Sequence, residues 1–200
     1  YTHEGQYWQF PKTTSAPKPL QQPFPPIWVA ARDPNSHEFA ISQGCNVQVT
    51  PLWQGDGEIT KLMDTFKEAC AKFPEVQRPE IMLLNHTYIA ADAADAQQAA
   101  GEINSFFCNF GAWFKNERPV SQGRIEPLTE EDIAAHPFYT ADAMLRDNVI
   151  ATPNDAVARI KTYAELGYDE YAFWIDSGMS SERKRASLAR FINDVMPAFT

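Results

Sequence analysis

The sequence predicts an α/β fold: a parallel sheet covered by helices, in which four strands form one half of a (β/α)8 barrel. Three observations carry this. Strand-like and helix-like segments alternate along the 200 residues, the strand segments are nearly continuous apolar runs, and the helical segments between them are amphipathic. An eight-stranded barrel takes about 250 residues. A four-stranded open sheet leaves two bare edges, which proteins normally pair or cover. A half barrel that needs its other half therefore stands first, with a small open sheet complete in itself as the rival.

The elements follow in order. Residues Phe10 to Pro26 are rich in Pro and Gln, including Pro17-Lys18-Pro19 and Pro23-Phe24-Pro25-Pro26. Proline removes amide donors and blocks helix, so residues 1–26 read as an extended connector. Ile27 to Ala31 is a short buried strand. Asp33-Pro34 then supplies an N-cap and a proline at the first helical position, and Gly44 stops a helix that runs to Gln43. The unit recurs: Val47 to Thr50 is a second strand, and Glu58 to Phe73 is a helix with Ile59, Leu62, Met63, Phe66, Cys70 and Phe73 on one face. Ile81 to Ala90 is a third strand, and Asp92 to about Phe114 an Ala- and Phe-rich helix. Residues 118–148, with Pro119, Gly123, Pro127 and Pro137, read as an irregular insertion with one helical turn at Glu130 to Ala135. Thr152-Pro153-Asn154-Asp155 starts a helix that Gly167 ends. Tyr171 to Ile175 is the fourth strand, and a last helix capped by Ser180 or Ser181 runs to Pro197. Residues 27–200 thus form one half-barrel unit with the insertion inside it.

Composition narrows the function classes. The net charge is −9, which repels phosphate backbones and anionic membranes, so neither nucleic acid nor membrane is an expected partner. No apolar run approaches membrane-spanning length. Cys45, Cys70 and Cys108 are far apart and odd in number, so neither a disulfide framework nor a zinc site is expected, and a reducing cytoplasm fits. His3, His37, His86 and His136 show no metal-ligand spacing. The chain opens on Tyr1-Thr2-His3-Glu4-Gly5, which reads as the interior of a longer sequence.

An ordered set of segments carries a resemblance. Glu4-Gly5-Gln6-Tyr7-Trp8, Pro17-Lys18-Pro19-Leu20-Gln21 and Pro25-Pro26-Ile27-Trp28-Val29-Ala30-Ala31 come first, followed by Pro34-Asn35-Ser36, Ala40 and Gly44-Cys45-Asn46. Tyr88-Ile89-Ala90, Gly167-Tyr168-Asp169 and Phe191 with Val195-Met196-Pro197 and Phe199 complete it. The set resembles the bacterial luciferase-like monooxygenase family, the luciferase-like flavin-dependent oxidoreductases. The resemblance implies a (β/α)8 barrel of which this chain holds strands five to eight, with the N-terminal half-barrel lying elsewhere. It implies a flavin-dependent monooxygenase that uses reduced FMN, supplied by a separate reductase, and oxygen to oxygenate a small organic substrate. F420 is the alternative cofactor, and a homo-oligomer is the implied assembly. A shortened, non-catalytic relative that binds flavin or another phosphorylated ligand is the second reading. The 200-residue segment alone is expected to be inactive.

Parallel barrels bind ligands at the C-terminal ends of their strands. At the first such end, Arg32 meets a helix N-terminus, a good anion site. In the luciferase-like relatives this turn helps hold the flavin phosphate, which implies cofactor contacts at Ala31, Arg32, Asp33, Ser36 and Thr50. Relatives commonly carry Ser at the place of Asp33, and a carboxylate there repels a phosphate; the plainer role of Asp33 is to cap the helix. Pro51 and Trp53 are the candidates for the substrate wall, with a packed loop as the competing role. His37 either approaches the same anion or lies at the surface. His86 reads as a satisfied core residue and Trp174 as core, and Asp176-Ser177-Gly178 as either a turn or a pocket support. No residue stands out as catalytic.

Overall fold

The structure is a computed structural model and describes residues 1–115 and 118–199. A small antiparallel hairpin, β1 (His3–Glu4) with β2 (Gln9–Phe10), opens the chain. Residues 11–27 contain no helix or strand, as their prolines dictate. The sheet and its helices follow: β3 (Trp28–Ala30), α1 (Pro34–Ser42), β4 (Asn46–Val49), α2 (Gly55–Lys72), β5 (Ile81–Ile89) and α3 (Ala93–Lys115). A second hairpin, β6 (Val120–Ser121) with β7 (Arg124–Ile125), leads to α4 (Glu130–Ala134), α5 (Ala141–Asp147), β8 (Val149–Ala151) and α6 (Pro153–Leu166). The chain closes with β9 (Glu170–Trp174), α7 (Ser181–Arg190), a π-helical turn at Phe191–Val195 and a 3-10 turn at Met196–Ala198.

The four expected strands are all present as β3, β4, β5 and β9, and they pair in parallel in the order β3-β4-β5-β9. Several elements differ from expectation. The segment 118–148 is more regular than its prolines suggest, because Thr140 caps α5 by accepting from the Ala143 amide. β8 is a further strand, too short for its apolar run to stand out. α2 starts at Gly55 rather than Glu58, and the Gln54 before it makes no side-chain capping bond, so the usual start signal is missing. The last helix loosens at Phe191, before Pro197.

β5 is the centre of the sheet. Its even-numbered backbone groups point to one flank: the Val47 amide donates to the Glu80 carbonyl at one end, and the Ala90 amide donates to the Ala151 carbonyl at the other. β8 therefore takes over the flank that β4 leaves. Odd-numbered groups face β9, starting with the Asp169 amide on the Ile81 carbonyl. β9 ends at Trp174, opposite His86. Beyond it α7 substitutes for a strand: the Ile89 amide donates to Ser187 Oγ at 2.7 Å, and Arg190 donates to the Ile89 carbonyl at 3.0 Å.

The two faces of the sheet are buried differently. Val47, Val49, Ile81, Leu83 and Ile89 pack under α1, α2 and α6, with Ile41, Ile59, Leu62, Phe66, Ile160 and Tyr163 completing that core. On the other face Gln48, Met82, Leu84, Ala172 and Trp174 are only half-buried. Near the strands' C-terminal ends this second face is covered again, as Tyr88, Ala90 and Ile150 form a separate core with Ala99, Ile103 and Phe107 of α3 and Met144 of α5. α3 thus joins that separate core, apart from the one built by α1, α2 and α6.

Ser187 is fully buried and supplies the acceptor for an amide that has no strand partner. Ser187→Ala leaves that amide orphaned and is expected to lower stability by about 1–3 kcal/mol, read as a shift in the urea midpoint. An unchanged midpoint would show that Ser187 is not needed to finish β5.

Candidate functional site

The C-terminal ends of β3 and β4 meet around Arg32. Ala31 is buried, and its amide continues the β3–β4 ladder by donating to the Gln48 carbonyl. Arg32 reaches across to β4 and α2. Its guanidinium donates to the Thr50 carbonyl at 2.9 Å and to Glu58 at 2.8 Å, where the Glu58 side chain is only 10% exposed. Asp33 caps α1: its carboxylate accepts from the Ser36 amide at 3.1 Å and from the Ser36 hydroxyl at 2.7 Å. Those bonds, the hydroxyl first, hold the Asp33 carboxyl below its usual range. Ser36 Oγ in turn accepts from the Arg32 amide at 3.2 Å.

Ala31, Arg32, Asp33, Ser36 and Thr50 are therefore brought together as one hydrogen-bonded turn. The turn already contains its own anion. The guanidinium is paired with Glu58, and the Asp33 carboxylate occupies the α1 amide that a phosphate would use. Sequence reasoning missed Glu58, which read only as the start of a helix. His37 is not a surface residue: it is fully buried, with Nδ1 3.0 Å from the Asp33 carbonyl and no hydrogen-bond partner for Nε2 among the described residues.

Pro51 and Trp53 take a different course. Pro51 is buried, and Leu52 adopts a left-handed φ of 55° that turns the chain sharply. Trp53 enters an aromatic group with Phe107, Phe110, Phe114 and Phe138, whose ring centroids lie 5.9–6.2 Å from its own. Trp53 and Phe110 are half-buried and Phe114 is exposed, so this group reaches the surface at the strand ends.

A third cluster lies at the ends of β5 and β9. His86 is buried as expected but not satisfied. Its ring stacks on Trp174 with centroids 4.0 Å apart, and Nδ1 lies 3.0 Å from Ser177 Oγ. Nε2 is inaccessible and has no hydrogen-bond partner among the described residues. Burial pushes the imidazole pKa down to about 3. Trp174 is half-buried and Ser177 buried, while Asp176 pairs outward with Lys184 at 2.5 Å. No sequence signal distinguishes His86 from a core histidine, because the missing partner is a matter of three-dimensional surroundings.

Other features lie elsewhere. An apolar cavity of about 230 Å³ is lined by Tyr163, Tyr168, Tyr171, Phe191, Met196 and Phe199, next to Asp169 and Glu170. It sits at the N-terminal end of β9, away from the three clusters. Among the described residues no group of three His, Cys, Asp or Glu could hold a metal ion, and no helix is long and apolar enough to cross a membrane.

Comparison with known proteins fits this geometry. The family model of luciferase-like monooxygenases matches residues 1–170. A flavin-dependent trigonelline monooxygenase, oxygenase component, from Acinetobacter baylyi is 65% identical over 200 residues, covering all of this chain and 56% of the relative. The monooxygenase RslO1 from Streptomyces bottropensis superposes with a TM-score of 0.71 at 20% identity. An F420-dependent secondary alcohol dehydrogenase, solved with an F420-acetone adduct, does so with 0.69 at 15% identity. Each match covers the whole chain and 56% of the solved structure. The chain spans about half the length of these proteins, and its strand–helix units form a half barrel.

Burial of His86 has a consequence for stability. In the unfolded chain the ring titrates near its ordinary 6.5, whereas in the fold it stays neutral to about 3. Between those values the unfolded state binds more protons, so stability falls as pH drops through this window, by up to about 1.4 kcal/mol per pH unit. His86→Phe is expected to remove that share of the slope when urea midpoints are compared from about pH 7 to about pH 5. Equal slopes in both proteins would contradict it.

Proposed function

This chain belongs to the luciferase-like monooxygenase family, and from that premise we propose that it is part of the oxygenase component of a two-component, flavin-dependent monooxygenase. The observation that carries the proposal is the 65% identity, across all 200 residues, to a protein named as such a component. The proposed cofactor is reduced FMN delivered by a separate reductase, and the proposed substrate class is that of trigonelline, a small N-methylpyridinium carboxylate. A flavin stands ahead of F420 because the 65% identical relative is named flavin-dependent, whereas F420 rests on a likeness of fold at 15% identity. The localisation that suits this chemistry is cytoplasmic.

When bound, reduced flavin supplies the two electrons with which one atom of dioxygen enters the substrate while the other leaves as water. The chain's own residues bind, orient and exclude water. In this reading Arg32, Ser36 and Thr50, with the backbone at Ala31, form the wall for the flavin phosphate. Asp33, which accepts from Ser36 in this structure, would release it to a bound phosphate. Arg32 is held ready by Glu58 and the Thr50 carbonyl, so little side-chain entropy remains to be lost on binding. Trp53 and Pro51 form the apolar side of the substrate pocket. An aromatic surface suits a pyridinium ring, since a cation is attracted to the face of Trp or Phe. α3 and α5 close the strand ends on the β5 side and restrict water there.

One observation favours the second reading, a non-catalytic relative that binds a phosphorylated ligand: the Asp33 carboxylate already sits on the Ser36 amide. The two readings separate in one experiment. The full-length protein, given reduced FMN and trigonelline, is expected to consume oxygen in proportion to the trigonelline lost, whereas residues 1–200 alone consume none in a trigonelline-dependent manner. An oxygen electrode with chromatography of the substrate reads both. Absence of trigonelline-dependent uptake by the full-length protein would overturn the proposed activity.

A further inference from the structure

The Nε2 atom of His86 has no role in the reading above. His86 lies on the β5 face shared with Met82 and Leu84, at the last register pair with β9, beside Trp174. Three aromatic rings surround it: Trp174 stacks at 4.0 Å, and Phe107 and Phe106 approach at 4.7 and 5.5 Å. Trp174 and Phe106 are themselves half-buried, so the imidazole lies one ring below the surface at the C-terminal ends of the strands.

The tautomer follows from Ser177. Its hydroxyl is buried and lies 3.0 Å from His86 Nδ1. A buried hydroxyl proton needs an acceptor, and Nδ1 is the acceptor in reach, so Ser177 donates to Nδ1. The proton of the neutral ring then sits on Nε2, where it is inaccessible to solvent and finds no acceptor among the described residues. A buried donor left in this state costs folding free energy that a bound acceptor would return. Several other buried polar atoms, among them His37 Nε2 and the Asn85 amide, also lack partners among the described residues; His86 Nε2 is the one set among aromatic rings at the C-terminal ends of the strands.

We propose that His86 is a substrate-binding residue whose Nε2–H donates to an oxygen acceptor, carbonyl or carboxylate, of a planar aromatic substrate seated beside Trp174 and Phe106, with Ser177 as the residue that positions the ring. The proposal rests on the oxygenase reading and deepens it. Trigonelline has the matching chemistry, with a cationic ring for the aromatic walls and a carboxylate for the N–H. Phe106 turns aside to admit it.

The test uses the full-length protein with reduced FMN and trigonelline. His86→Phe keeps a ring against Trp174 and removes the N–H. It is expected to raise KM for trigonelline about tenfold, with kcat changed by less than about threefold and FMN affinity by less than about twofold. His86→Gln returns an N–H and is expected to recover most of the loss. Ser177→Ala frees the tautomer and is expected to raise KM about threefold; should His86→Phe fail to fold, this variant decides. An unchanged KM would mean that a buried water or nothing meets Nε2 and would overturn the proposal. A parallel loss of FMN and substrate affinity would do the same, by showing a purely structural role. Wild-type protein that turns over trigonelline while the variants keep its KM defeats this proposal alone. Wild-type protein with no trigonelline-dependent oxygen uptake defeats the oxygenase reading as well.

Discussion

Every other element depends on how β5 satisfies its backbone. Its nine residues run through the middle of the sheet, and residues 85–89 are all buried. A buried strand must find partners for its amides and carbonyls along both flanks. No single neighbour is long enough, so the partners change: β4 gives way to β8 on one side, and β9 gives way to Ser187 and Arg190 of α7 on the other. The changeover comes at His86 to Ile89, near the end where parallel sheets present their ligands. β8 is brought there directly after α5, which also covers the second face. The same constraint that finishes the strand therefore places α3 over the strand ends and seals His86 beneath Phe106 and Phe107.

A second balance operates at the Arg32 turn. A helix N-terminus and a guanidinium would attract any anion, and the fold meets that demand internally with Asp33 and Glu58. Glu58 fixes the direction of Arg32 from a helix that starts just after β4, which is why Arg32 also reaches the Thr50 carbonyl. Asp33 is the looser of the two carboxylates, since it lies at the surface and serves a cap of nine residues of helix. In the proposed reading it is the group that yields to a phosphate, whereas Glu58 stays.

Much of the architecture was legible in the sequence because the responsible signals are local. The apolar runs at Ile27, Val47, Ile81 and Tyr171 became the four parallel strands, and Asp33 and Thr152 marked their helix starts within a residue. β8 escaped because three apolar residues carry no period, and α5 because its Thr140 cap lies among prolines and glycines. His37 was misplaced for a physical reason: α1 buries His37 and leaves Phe39 62% exposed, the reverse of their hydrophobicity, with the Asp33 carbonyl beside Nδ1 and no partner for Nε2 among the described residues. The Arg32 turn was legible as a strand end followed by a cap. Its internal neutralisation by Glu58, and the orphaned nitrogen of His86, arise from residues 26 and 91 positions away and leave no local mark.

In the proposed reading the Arg32 turn receives the phosphate of a flavin, with Asp33 as the displaced internal anion. The most direct measurement compares dissociation constants for FMN and for riboflavin, which lacks the phosphate, in the full-length protein and in its Asp33→Ser variant. Removing one negative charge beside the phosphate is worth about tenfold at a surface site, so Asp33→Ser is expected to bind FMN about ten times more tightly and riboflavin within about twofold of wild type. FMN affinity that does not change, or that changes together with riboflavin affinity, would place the phosphate elsewhere and contradict the claim.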